Sequence, residues 1–337
     1  MNDILVQVQH CTDEDMKKTF EMLFEKWLEY LKDTNIKQNS IARHSQRYHK
    51  FIEGAKWTKK PIRKVKVLEI EKWADAMIAE KEYFTIKEWK NIKTILYGVY
   101  HLAIRKGIVS NNIIKDVKLT SRLSSVKRKA PEDQVFSPIE EQIIIDECYD
   151  EISQSDHIAP LAILFNFYMG LRVGELLGLK WSDIQGNKIH IQRQYGKETA
   201  NNGITKYQIY EYTKTSRSGS DIDAGDRILP IPEKAIKILE LARKKSTGEF
   251  IFEQNGVLTT SSMINHRLYK YQRNHGIINV KSSHAIRRTY ASKLSYRGID
   301  RQSIQTLLGH QNIETTNSYI YDLENSTALL NKLNEIL

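Results

Sequence analysis

Apolar residues recur at intervals of three and four along most of this chain, the period of helices that pack by one face. Phe20, Leu23, Trp27, Leu28 and Leu31 make the first stripe. A second starts at an Asn39 or Ser40 cap and carries Ile41, Tyr48, Phe51 and Ile52. Residues 67–80 and 85–106 supply two more, the last with Ile86, Trp89, Ile92, Leu96, Val99 and Tyr100 on one face and Gly107 as its stop. The pattern predicts a four-helix bundle over residues 13–120 behind a short tail, 1–12. Residues 121–135, beginning Ser-Arg-Leu-Ser-Ser-Val-Lys-Arg-Lys-Ala-Pro, are polar and basic without periodicity and read as an exposed linker.

A second domain, expected over residues 136–325, opens with Ser137-Pro138-Ile139-Glu140, a capping box with proline at the first helical position. Residues 158–171 are apolar enough for a buried helix. Three stretches, 188–195, 208–213 and 227–231, alternate like strands of one small antiparallel sheet. Helices are then predicted over 233–245, 260–274, 284–296 and 301–308. Gly309 closes the last of these as a C-cap, so that His310 falls on the turn and Thr315 or Thr316 starts the helix bearing Tyr319. A C-terminal helix over 326–337 carries Leu329, Leu330, Leu333, Ile336 and Leu337 as one stripe. The fold class expected is mainly α with a small antiparallel β-sheet, in two domains. Neither an internal repeat nor a low-complexity tract is present.

Composition narrows the function. A length of 337 residues, 40% apolar and 27% charged, suits two sizeable cores. No apolar run reaches membrane-spanning length and residues 1–10 lack a signal-type core, so a cytoplasmic protein is expected. Cys11 and Cys148 stand far apart, which argues against a disulfide framework or a structural zinc. The net charge of +10 is concentrated: residues 1–130 hold 27 Lys and Arg against 16 Asp and Glu, leaving 24 against 25 for the rest. Lys56, Lys59, Lys60, Arg63, Lys64 and Lys66 follow one another without an acid, and Lys127 and Arg128 add to the linker. A polyanion such as DNA is the simplest partner for such a stretch, because phosphates release counterions to Lys and Arg. Asp221, Asp223 and Asp226 make a poor calcium loop, with Gly225 misplaced and no closing Glu.

The candidate chemistry lies in the less basic half. Arg172, in Met-Gly-Leu-Arg-Val-Gly-Glu-Leu, follows an apolar helix at a position where a guanidinium is costly unless it holds an anion, and Glu175 stands three residues on to brace it. His284 and Arg287 are at i and i+3 and share a helix face, with Arg288 pointing elsewhere. Lys214 ends a strand ahead of a Ser/Gly/Asp loop, and Lys206 is its weaker competitor. Two arginines, a lysine, two histidines and a tyrosine suit phosphoryl transfer. Arginine forks grip the non-bridging oxygens of a phosphodiester most tightly as charge grows in the transition state. A histidine helps deprotonate a tyrosine nucleophile, and a lysine protonates the departing hydroxyl.

The ordered set Arg172-x-x-Glu175, Lys214, His284-x-x-Arg287, Gly309-His310 and Tyr319 resembles that of the tyrosine recombinases, the phage-integrase family. The resemblance covers nearly the whole chain, with residues 13–120 as the core-site DNA-binding domain and 136–325 as the catalytic domain. It implies attack by Tyr319 on a DNA phosphodiester, a 3′-phosphotyrosyl intermediate and a free 5′-hydroxyl, without metal, ATP or other cofactor. It implies double-stranded attachment sites on a mobile element as substrate, a homotetramer on DNA, accessory DNA-bending or directionality proteins, and a place at the bacterial nucleoid. It also implies that the C-terminal helix docks on a neighbouring protomer, against the alternative that it folds back on its own domain. Some integrases of this kind carry an arm-site domain before the core-binding domain; the ten or so residues available here are too few, so arm binding is lacking or the chain is shortened. Tyr321 competes with Tyr319 by proximity, but the spacing from His310 favours Tyr319. Relaxation of supercoils by a type IB topoisomerase, Xer-like resolution of chromosome dimers and DNA binding without catalysis are the competing functions.

Overall fold

The computed structural model of the chain describes residues 12–34, 36–81, 84–124, 130, 133–199, 205–213 and 225–321. The chain divides into two compact units, of which the first runs to Arg128 and the second begins at Lys129 and holds the remainder apart from Glu198–Lys206.

In the first unit, α1 (Phe20–Lys32), α2 (Gln38–Phe51), α3 (Val67–Ala79) and α4 (Ile86–Arg105) bury the stripes that their sequences carry. Thr19 and Thr85 cap α1 and α4, accepting from Met22 N–H at 3.3 Å and Glu88 N–H at 3.0 Å. Phe24 stacks on Tyr48 at 3.7 Å, joining α1 to α2. The expected cap of α2 at Asn39 or Ser40 is displaced to Lys37, which makes no side-chain capping bond, so both predicted caps lie inside the helix. The segment read as an exposed linker is attached at its start. Asp75 accepts from the backbone N–H groups of Thr120 and Ser121, and Ser124 donates to the Phe84 carbonyl at 2.9 Å. Val135, at its other end, is buried.

The second unit is built around α6 (Ala159–Met169), buried at every position but Tyr168, with α5 (Pro138–Gln154) against it. The Ser137 hydroxyl accepts from Glu140 N–H at 3.2 Å and the Glu140 carboxylate from Ser137 N–H at 2.8 Å, the capping box that opens α5. After the short α7 (Val173–Leu177) come β1 (Ile184–Gln185), β2 (Lys188–Ile191), β3 (Gln194–Thr199), β4 (Thr205–Tyr210) and β5 (Arg227–Pro230). The single sheet expected from the alternation is two sheets. β1, β2 and β5 form an antiparallel sheet with β2 in the middle, while β3 and β4 pair separately. The stretch 188–195 breaks into two strands at Gln192 and Arg193, whose side chains turn to Asp183 at 2.8 and 2.6 Å.

The remaining helices are α8 (Glu233–Lys245), α9 (Ser261–Asn274), α10 (Ser283–Tyr296), α11 (Arg301–Leu308) and α12 (Ile313–Asn317), with β6 (Glu253–Gln254) and β7 (Val257–Leu258) as a small hairpin. The helix bearing Tyr319 was expected to start at Thr315 or Thr316. Asn312 caps it instead, accepting from Glu314 N–H at 2.9 Å, and the helix ends at Asn317, before Tyr319; the earlier start frees the Thr316 side chain for another use. No helix among the described residues is long and apolar enough to cross a membrane.

Candidate active site

The turn between α6 and α7 sets the position of Arg172. Gly170 ends α6 at φ +60°, and a Cβ there would fall 2.2 Å from Tyr290 Cδ1, so no other residue fits. Asn166, buried on α6, fixes the next residue through both amide atoms, accepting from Leu171 N–H at 2.7 Å and donating to its carbonyl at 3.2 Å. Arg172 then precedes α7, where Glu175 accepts from its backbone N–H at 3.1 Å and from Nη1 at 2.7 Å. The brace expected from the Arg-x-x-Glu spacing is present.

Glu175 is fully buried and serves more than Arg172. Its carboxylate accepts from Arg227 Nη2 at 2.9 Å and lies 3.8 Å from Arg287 Nη1. Burial would raise its pKa, but Arg227, Arg287 and Arg172 together pull it down to about 2. Arg227 was not singled out from the sequence. The available signal was the alternation of β5, which puts Arg227 on the same buried face as Leu229 and opposite Ile191 in the sheet register. A charged residue on the inward side of a strand needs a partner, and Glu175 is that partner.

The three guanidiniums also share the C-terminus of α11. Arg227 Nε donates to the Leu307 carbonyl at 3.0 Å, Arg287 Nη2 to that of Leu308, and Arg172 Nη2 to that of Gly309 at 3.1 Å. These are carbonyls that a helix end leaves unpaired, and cations belong there. Arg227 uses each of its nitrogens, since Nη1 bonds the Gly225 carbonyl at 2.8 Å. Arg287, buried with the core, has Nη1 on the Gly170 carbonyl at 3.0 Å, whereas its Nε has no partner among the described residues. Burial draws the Arg287 guanidinium down to about 9, which leaves it charged at neutral pH.

Gly309, at φ +61°, turns the chain from α11 toward α12. His310 follows, buried, with Nδ1 3.0 Å from Thr316 Oγ1 and Nε2 without a partner among the described residues. Burial, then Arg287 and Arg172, push His310 down to about 3, so its imidazole is neutral. Tyr319 lies beyond α12, with its ring edge-on to that of His310 at 4.7 Å and its Oη 2.9 Å from His284 Nε2. The Arg287 and Arg288 guanidinium carbons stand 5.8 and 5.4 Å from the Tyr319 ring. Arg288, expected to point elsewhere, thus flanks this ring as well as that of Tyr321. Tyr321 turns away, its hydroxyl donating to Gln134 at 2.7 Å and its N–H to Ser292 at 2.9 Å.

The structure therefore brings together Arg172, Glu175, His284, Arg287, His310 and Tyr319. Lys214, Lys127, Arg128, Asp221, Asp223 and the helix expected over residues 326–337 lie outside the described residues. Lys206 is exposed on β4, and Asp226 pairs with His190 at 2.5 Å. Of the basic run, Lys56, Lys59, Arg63 and Lys64 are exposed on two 3₁₀ turns and Lys60 is exposed between them, while Trp57, Ile62 and Val65 are buried. A solvated cationic edge is the result, with Lys60 paired to Glu69.

Comparison with known proteins gives consistent relatives. The family model described as the Phage integrase family matches residues 135–325. A tyrosine recombinase XerC-like protein of Caldanaerobacter subterraneus subsp. tengcongensis is 26% identical over 99% of this chain and 86% of its own. Among solved structures, the Tn1549 transposon integrase in complex with a circular intermediate DNA has a TM-score of 0.72 at 20% identity, covering 95% of this chain and 100% of that one. A lambda integrase dimer bound to a COC′ core site has a TM-score of 0.68 at 18% identity, covering 92% and 79%.

Proposed function

The chain belongs to the phage integrase family, and from that membership we propose that it recombines DNA sites through a 3′-phosphotyrosyl intermediate formed on Tyr319. The observation that carries this reading is the bond from Tyr319 Oη to His284 Nε2, 2.9 Å long, beside the arginine cluster. Tyr319 Oη attacks the phosphorus and its proton passes to His284. The bond to the 5′ oxygen breaks, and Lys214 gives that oxygen a proton. Arg172, Arg287 and His310 face the non-bridging oxygens, where negative charge accumulates. The phosphotyrosine keeps the energy of the broken ester, so rejoining to a second 5′-hydroxyl needs neither ATP nor metal.

The substrate in this reading is a pair of attachment sites of a mobile element, handled by a homotetramer with accessory DNA-bending or directionality proteins, in the bacterial cytoplasm. Lys56, Lys59, Lys60, Arg63 and Lys64, with Lys127 and Arg128, would meet phosphates. The name of the XerC-like relative, which spans 99% of this chain, favours a second reading, Xer-like resolution of chromosome dimers. DNA flanking the gene tests between them: an integrase recombines a site found there with a different chromosomal site, a resolvase only two copies of one site.

A duplex nicked beside the cleavage point tests the chemistry. Wild-type protein is expected to become covalently trapped and, with intact sites, to yield recombinant joints; Tyr319→Phe is expected to shift the duplex in a gel and form no adduct. Relaxation without recombinant joints would turn the reading to a topoisomerase, and an adduct on the Phe variant would move the nucleophile to Tyr321.

A further inference from the structure

The Thr316 hydroxyl is buried, and among the described residues its hydrogen-bond partner is His310 Nδ1, 3.0 Å away. A hydroxyl both donates and accepts, so two arrangements are open to this pair. If Nδ1 carried the proton, the Thr316 hydrogen would have no acceptor and His310 Nε2 would be an acceptor without a donor, two buried groups left unpaired. If Thr316 donates to Nδ1, its hydrogen is satisfied and Nε2 carries the ring's one proton. His310 is neutral under burial and the nearby arginines, so it has one proton to place. The Nε of Arg287 points the same way: it is a buried donor with no partner, and it makes no bond to the equally unpartnered Nε2. Both side chains stand against the Tyr319 ring, His310 at 4.7 Å and the Arg287 guanidinium carbon at 5.8 Å, and unpartnered donors on that side of the nucleophile call for an anionic oxygen.

We propose that Thr316 is a positioning residue that fixes His310 as the Nε2–H tautomer, so that Nε2–H and Arg287 Nε–H are presented together to a non-bridging oxygen of the DNA phosphodiester. The proposal rests on the reading of His310 as a phosphate donor given above. Thr316 is also placed to hold the nucleophile in register with the ring, since its carbonyl accepts from Tyr319 N–H at 2.9 Å and Ile320 N–H at 3.2 Å.

The test compares Thr316→Val, which keeps the shape and loses the hydroxyl, with Thr316→Ser, which keeps the hydroxyl, and with His310→Ala. Single-turnover cleavage of the nicked duplex is measured at saturating protein, and nitrogen NMR of ring-labelled histidine reports the tautomer of the wild type. The expected result is cleavage slowed roughly tenfold or more in the Val variant, in line with loss of an oxyanion donor, with unchanged DNA binding. The Ser variant should restore most of the rate, and the wild-type His310 spectrum should show the proton on Nε2. Wild-type cleavage by Thr316→Val alongside slow cleavage by His310→Ala overturns the Thr316 role alone, as do a Ser variant as slow as Val or a proton on Nδ1 in the wild type. Normal cleavage by His310→Ala overturns the reading of the site beneath it. The NMR measurement needs no variant, so a Val protein that fails to fold still leaves the tautomer decided.

Discussion

Arg172 and Arg287 are the arginines read above as facing the phosphate; among the described residues Arg287 keeps Nε without a partner, whereas each nitrogen of Arg227 is engaged with a protein acceptor. If they clamp the transition state, Arg172→Ala and Arg287→Ala should each slow single-turnover cleavage at least a hundredfold, about 2.7 kcal/mol in the barrier, while the gel-shift affinity changes little because surface lysines and arginines supply most of it. Parallel losses in binding and cleavage would deny them that role. His310 makes a separate prediction about acid. Its folded-state pKa is about 3 against an ordinary 6.5, so as pH falls through 6.5 the unfolded chain takes up a proton that the folded protein refuses. Folding stability is thereby lost from about pH 6.5 down to about 3. Glu175 loses its own contribution lower, below 4.5 and toward about 2, since a depressed carboxylate stabilises above its unfolded value. Urea titrations between pH 6.5 and 4.5 should therefore show stability falling less steeply in His310→Gln than in wild type.

Arg227 joins β5 to two helices, α7 through Glu175 and α11 through the Leu307 carbonyl. Arg227→Met should cost roughly 3–5 kcal/mol in urea unfolding, the usual effect of removing one member of a buried ion pair. Arg227→Lys should not restore it, because one ammonium cannot reach acceptors spread around a planar fork. The helices were legible because their apolar period is long and regular: 233–245 and 301–308 were read from the sequence with the bounds that α8 and α11 have. Caps and sheet partners were less legible. Asn312 and Thr315 are both acceptable caps, and what decides between them is that Thr316 is needed by His310, a contact six residues away that no propensity encodes. The break at Gln192 and Arg193 depends on Asp183, nine and ten residues away. Most of the candidate site was visible because its residues occur in a recognisable order. Arg227 was not, because its role appears only when β5 is laid on the core and one carboxylate is seen serving three arginines.

For assembly, the expected stripe of Leu329, Leu330, Leu333, Ile336 and Leu337 leads us to propose that the C-terminal segment docks on a neighbouring protomer and makes cleavage depend on tetramer formation. Deleting residues 326–337 should leave single-site binding largely intact and weaken cooperative binding and synapsis in a paired-site gel assay. Paired complexes like those of the full chain would mean that the segment packs on its own domain. The crowding of three guanidiniums around one carboxylate and one helix end has an effect outside the reaction. Away from DNA, that pocket holds two more positive charges than negative ones, and their mutual repulsion is part of what the fold must overcome. A phosphate bound there as proposed would relieve it only in the folded protein, so occupancy and resistance to unfolding would rise together. In a cell where proteases sample opened chains, the copies seated on DNA would outlast the ones adrift, and the pool of recombinase would be trimmed toward the number of sites it can occupy.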